Sequence, residues 1–89
     1  MHRLRSNDLG DEGTITICKA LSESKVNKLQ ELDLSKNNIG STGGEALGGM
    51  LLVHGSMTSL NVRLNTLGND GKAALRKAVE RRTGFELMI

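Results

Sequence analysis

The stretch LQELDLSKNNI, residues 29–39, reads L-x-x-L-x-L-x-x-N-x-I. Leu32 and Leu34 sit two apart, so they project from one face of an extended segment, while Glu31, Asp33, Ser35 and Lys36 occupy the positions around them. Leu29 and Ile39 bracket the strand as further inward anchors. Asn37 ends it, because its amide supplies two donors and an acceptor for backbone groups left bare where the chain bends.

Laying this pattern over the rest of the chain on its asparagine yields two more copies, at Asn7 and Asn65, with spacings of 30 and 28 residues. In the third copy Met57, Leu60, Val62, Asn65 and Leu67 take the places of Leu29, Leu32, Leu34, Asn37 and Ile39. In the first copy Leu4, Asn7 and Leu9 match, and His2 stands where a leucine belongs. Each copy continues with a glycine (Gly10, Gly40, Gly68), then a residue able to cap a helix (Asp11, Ser41, Asn69), then a second glycine (Gly13, Gly43, Gly71). Apolar pairs four apart follow, Ile17 with Leu21, Leu47 with Leu51 and Leu75 with Val79, widened by Ala20, Met50 and Ala78. The pattern predicts strands near 2–5, 31–35 and 59–63 and helices near 11–23, 42–53 and 70–82. Phe85, Leu87, Met88 and Ile89 read as the start of a fourth strand, with Phe85 on the first leucine position. The repeats run about 1–28, 29–56 and 57–84 within a single domain, with the strand start at 85–89. The second glycines are expected to let helices approach the strands closely.

This pattern resembles the leucine-rich repeat family, and a period of 28 to 30 with a full helix per turn resembles its ribonuclease-inhibitor-like class. The resemblance covers the chain from Leu4 to about Phe85. It implies an α/β solenoid, a short curved right-handed horseshoe segment with its parallel sheet concave and its helices convex. It also implies a protein-binding scaffold rather than an enzyme.

Composition narrows the function classes. One cysteine among 89 residues excludes an intrachain disulfide. The lack of a cysteine framework, of a signal segment and of a membrane-spanning apolar run leads to an expectation of a cytoplasmic protein with no membrane partner. A net charge of +2 is too small to argue for nucleic acid. The surplus is concentrated between Lys72 and Arg82, where Lys72, Arg76, Lys77, Arg81 and Arg82 face a single acid, Glu80. That basic third helix is a solvated face or, alternatively, a patch for an acidic partner or nucleic acid. With one phenylalanine and no tryptophan or tyrosine, stacking on single-stranded nucleic acid has little to work with.

Candidate sites are weighed on the same terms. Asn7, Asn37 and Asn65 read as a structural ladder bridging successive turns, since bent backbone needs partners there. The glycine-rich run GSTGGEALGG lacks a phosphate loop's spacing, and the nearest alignment puts Thr66 and Ala73 at its first glycine and hydroxyl positions. Cys18, His2 and His54 lie in different repeats without metal-site spacing, so neither a metal, a cofactor nor a catalytic residue is expected. Cys18 aligns with Gly48 and Arg76, which predicts a surface or partly covered thiol. The binding face is expected at the outward strand positions Arg3, Arg5, Glu31, Asp33, Ser35, Lys36, Asn61 and Arg63. Two columns are expected across the strands, Arg3–Asp33–Asn61 and Arg5–Ser35–Arg63. Apolar ends without a polar cap predict end-to-end association, as a homodimer, or else a piece of a longer array.

Overall fold

The structure, a computed structural model, describes residues 2, 3, 9–23, 29–53 and 56–89, with backbone alone at His2 and Arg3. Strand and helix alternate: β1 (His2–Arg3), α1 (Gly10–Glu23), β2 (Glu31–Asp33), α2 (Ser41–Val53), β3 (Ser59–Asn61), α3 (Gly68–Val79) and β4 (Glu86–Met88). The strands form one parallel sheet in the order β1-β2-β3-β4. A helix makes each of the three crossovers, and α1, α2 and α3 pack side by side as a second layer. This is an α/β solenoid of leucine-rich repeat type.

Between the layers lies the core. Leu32, Leu34 and Ile39 enter it from the second unit, Met57, Leu60, Val62 and Leu67 from the third, and Leu47, Met50, Leu51 and Leu75 from the helices. Leu32 lies opposite Leu60 in the ladder, so the inward positions of neighbouring turns stack directly. Full burial of each such side chain stabilises the fold by about 1.5–3 kcal/mol. Ile17, Leu21 and Val79 pack against this cluster half-buried, whereas Ala20, expected on the inner stripe, is exposed.

Asn65 joins the second and third turns. Its Oδ1 accepts from the backbone N–H of Asn37 at 2.8 Å and of Ile39 at 3.0 Å, and its Nδ2 donates to the carbonyls of Leu34 and Val62 at 3.0 and 2.9 Å. Asn37 is fully buried, accepts at Oδ1 from Leu9 N–H at 3.4 Å and donates to Ser35 O at 3.1 Å. Asn7 lies outside the described residues, as do Leu4, Arg5 and His54. The turns these amides brace are tight. Lys36 and Leu64, 28 residues apart, both adopt left-handed backbone, with φ of 57° and 60°.

β2 and β3 are shorter than the predicted 31–35 and 59–63, for a local reason. Asp33 Oδ1 accepts the N–H of Ser35, and Asn61 Oδ1 accepts that of Arg63, each at 3.0 Å, so a side chain closes a turn where a ladder bond would otherwise form. α3 ends at Val79 instead of 82, because the chain tightens (Arg82 N–H to Val79 O, 2.9 Å) and Arg82 turns back to donate from Nη1 to Met57 O at 3.2 Å. The Arg82 guanidinium also sits 5.6 Å from the centre of the Phe85 ring.

The expected helix caps are absent from their own helices. Gly10 and Gly68 open α1 and α3 with φ of 64° and 69°, and the cap position of α3 is Leu67, which makes no side-chain cap bond. Asp11 reaches instead to the next repeat, where its Oδ1 accepts from Gly40 N–H at 2.7 Å and Gly43 N–H at 3.0 Å, satisfying the orphan donors at the start of α2. The second glycines likewise face neighbours other than the strands. A Cβ at Gly43 would lie 2.7 Å from Asp11 Oδ1 and 2.6 Å from Ile39 Cγ2, and one at Gly71 would lie 3.2 Å from Ser41 Cα.

β4 pairs with β3 one residue out of the expected phase. Leu60 faces Leu87, an offset of 27 rather than 28, so Leu87 and not Met88 stands opposite Leu60, and Phe85 falls one place away from the first leucine position that Met57 holds. A slip of one residue exchanges the two faces of a strand. The tight turn at Gly84, with φ of 81°, sets that phase.

The strand face and its edge

The parallel register assembles two rows of side-chain positions across the sheet. One row is Arg3, Asp33, Asn61 and Met88; the other is Glu31, Ser59 and Glu86. Neighbouring members are separated by roughly 4.8 Å, the spacing of paired strands. The expected column Arg3–Asp33–Asn61 is therefore present in the register, and β4 extends it by a methionine. Asp33 and Asn61 are only half-exposed, and one oxygen of each is committed to closing the turn that follows.

The second expected column does not form as drawn. Arg5 lies outside the described residues, and Ser35 is buried, with 7 % of its surface exposed. Its hydroxyl donates to Asp33 Oδ1 at 2.7 Å, which turns it inward along the turn and away from a partner. Arg63 remains exposed.

Beyond the strands, the turns carry the most accessible groups of this face. Lys36 N–H donates to Arg63 O at 3.1 Å, which holds the two turns side by side. Lys36, Arg63 and Leu64 are all exposed, Leu64 at 71 %. The face is thus acidic at the start of the strands, where Glu31 and Glu86 flank Ser59, and basic at the end, where Lys36 and Arg63 border an exposed leucine. Glu86 and Met88 were missed as site residues because their place depends on the one-residue slip of β4. Ser59 and Leu64, by contrast, are outward positions that the repeat pattern gives directly.

Cys18 is not the surface thiol that its alignment with Arg76 suggests. It is 5 % exposed, and burial pushes its pKa from 9.0 up to about 12. The equivalent position one helix later, Gly48, faces α3, where an added Cβ would lie 3.1 Å from Ala74 O. In α1 and α2 this column is buried, whereas Arg76 on α3, the last helix among the described residues, is exposed. Among the described residues no group of three His, Cys, Asp or Glu side chains is placed to hold a metal ion, and no helix is long and apolar enough to cross a membrane.

The pattern that defines the family "Leucine Rich repeat" matches residues 3–18, 27–48 and 56–75, which together make up more than half of the chain. The chain belongs to the leucine-rich repeat family. It is similar to ribonuclease inhibitor of Mus musculus, with 33 % identity over 78 residues that cover 88 % of this chain and 17 % of the relative. Two NACHT, LRR and PYD domains-containing proteins of Mus musculus are also similar. Protein 14 is 35 % identical over 86 % of this chain and 8 % of its own length, and protein 12 is 32 % identical over 86 % and 7 %. The chain therefore spans less than a fifth of the relatives it matches, and its repeats are ribonuclease-inhibitor-like.

Proposed function

We propose that this chain is a non-enzymatic module that binds a protein partner on the concave strand face, with its strongest contacts at the Lys36–Arg63–Leu64 edge. Leu64 carries the reading. An apolar side chain held 71 % exposed in a left-handed turn, between two cations, is suited to an interface and contributes nothing to the core. Glu31 and Glu86 at the other end of the strands give the face a charge polarity that orients a partner. Repeats of this family support a role in protein contacts, and one relative is named for inhibiting a ribonuclease. The cytoplasm, as for a chain with one buried thiol, is the compartment that accompanies this reading.

The test compares proteins captured from a cell extract by wild type, by a Lys36→Glu/Arg63→Glu/Leu64→Ser variant of the strand face, and by an Arg76→Glu control on α3. A protein held by wild type and control but lost from the strand-face variant supports the reading. Capture unaffected by the strand-face changes refutes it.

A second reading, end-to-end association, is favoured by β4. Among the described residues it pairs on one side only, and Phe85, Leu87 and Ile89 are half-buried against the core. Light scattering across a dilution series tests it, and a monomer at the highest concentration removes it.

A further inference from the structure

α2 differs from the helices beside it. The outward positions of α1 and α3 are largely polar or charged, but α2 reads STGGEALGGMLLV, with Glu45 as its only charge. Its outer surface near the C-terminal end is Gly49, Leu52 and Val53, spaced i, i+3 and i+4, and the two large side chains are 72 % and 67 % exposed. A helix that is apolar on all sides is normally covered on all sides.

Along this surface, between α2 and α3, runs a groove of about 640 Å³. Its lining includes Gly49, Leu52, Ala74 and Ala78, together with Lys77 of α3 and Arg81 of the turn that follows α3. At Gly49 an added Cβ would meet nothing within 4 Å, so the absent side chain opens a notch rather than relieving a clash. A glycine inside a helix costs about 0.5–1 kcal/mol relative to alanine, so the notch lowers the stability of α2. The volume falls within the roughly 300–1,000 Å³ typical of ligand clefts.

We propose that this groove binds an acidic amphipathic helix of a partner protein. An incoming helix places apolar side chains at i, i+3 and i+4 over Leu52 and into the Gly49 notch, the way a helix occupies a groove elsewhere. Lys77, in α3, and Arg81, in the turn just past its end at Val79, both line the groove and can each meet a carboxylate of the occupant. Both cations are exposed. Arg82, also on the lining, is bound to Met57 O and stacked on Phe85, and so braces the groove. Glu45 and Glu80 on the same lining oppose a uniformly anionic lipid surface, and the concave shape favours inserted side chains over a flat bilayer.

The experiment uses the full chain and a synthetic helical peptide of about 15 residues, long enough to hold helix, with leucines at i, i+3, i+4 and i+7 and glutamates beside them. Its counterpart carries lysines for the glutamates, and phosphatidylserine vesicles form a third arm. Amide chemical shifts locate binding. The acidic peptide is expected to move Gly48, Gly49, Leu52, Ala74, Lys77 and Ala78. Lys77→Glu/Arg81→Glu is expected to weaken it by at least about tenfold, as is Gly49→Leu, which fills the notch while the rest of the spectrum stays in place. No binding of the acidic peptide, equal binding of the basic one, shifts on the strand face, or a response to vesicles alone would each overturn the proposal. These outcomes are independent of the strand-face variants, because the groove lies on the opposite layer.

Discussion

Between α1 and α2 a carboxylate makes the join, with Asp11 Oδ1 accepting two backbone N–H groups of the next repeat at 2.7 and 3.0 Å. Between α2 and α3 backbone meets backbone. A Cβ at Gly44 would stand 3.0 Å from Gly71 Cα, and one at Gly48 would stand 3.1 Å from Ala74 O. The residue equivalent to Asp11 in the second repeat is Ser41, whose shorter side chain makes no such cap. The first seam is set by a directed polar contact, and the second by the absence of side chains. One tolerates small changes of shape but not of acceptor, and the other the reverse.

The largest expected effect separates the turns around the second seam. Asn65→Ala strips an acceptor from Asn37 and Ile39 N–H and a donor from Leu34 and Val62 carbonyls. It should destabilise the chain by about 3 kcal/mol, read as a lower urea midpoint, because buried backbone groups lose their partners. A loss below about 1 kcal/mol would mean that water replaces the amide.

Gly44→Ala tests the steric seam directly, since a single methyl must displace Gly71 backbone and the Leu67 side chain. A loss of about 2 kcal/mol is expected despite alanine's better helix propensity, as in other overpacked cores. A neutral or stabilising result would show that α2 and α3 slide apart freely.

Asp11→Ala should cost about 1 kcal/mol, the usual value of a helix cap, and Asp11→Asn clearly less because an amide oxygen still accepts. Equal losses would place the charge, rather than the acceptor, in control of the first seam. Thermal denaturation of both variants against wild type decides between these outcomes.

The smallest effect concerns Cys18 on α1. In the folded chain its thiol keeps a proton up to a pH of about 12, whereas the unfolded chain releases it near 9.0. Above the lower value the folded state binds more protons than the unfolded one, so this group's contribution falls as pH rises through that window. Iodoacetamide at neutral pH should modify Cys18 slowly in the native chain and rapidly in denaturant. Equal rates would show that α1 opens readily from α2.

Much of the architecture could be read because it is written in spacing. Leu32 and Leu34 two apart, Leu47 and Leu51 four apart, and asparagines 28 residues apart report strand, helix and repeat through covalent geometry that holds in any context. The strand face was harder to read. Ser35 alternates outward along the chain, yet the turn closed by Asp33 turns its hydroxyl inward. Arg76 suggested an exposed column, although Cys18 and Gly48 in the same column are buried and Arg76 alone of the three is exposed.

By itself, then, the sequence determined the alternation of strand and helix, the inward leucines and the solenoid they demand, since each follows from residues close along the chain. Only the tertiary structure decided that Asp11 caps α2 rather than α1, that Cys18 is buried, that Leu87 rather than Met88 faces Leu60, and that Gly49 opens a notch while Gly44 closes a seam. Each of these depends on what the neighbouring turn places opposite. That in turn depends on the register and close approach of segments about 30 residues apart, where a one-residue slip or a single missing Cβ changes the outcome.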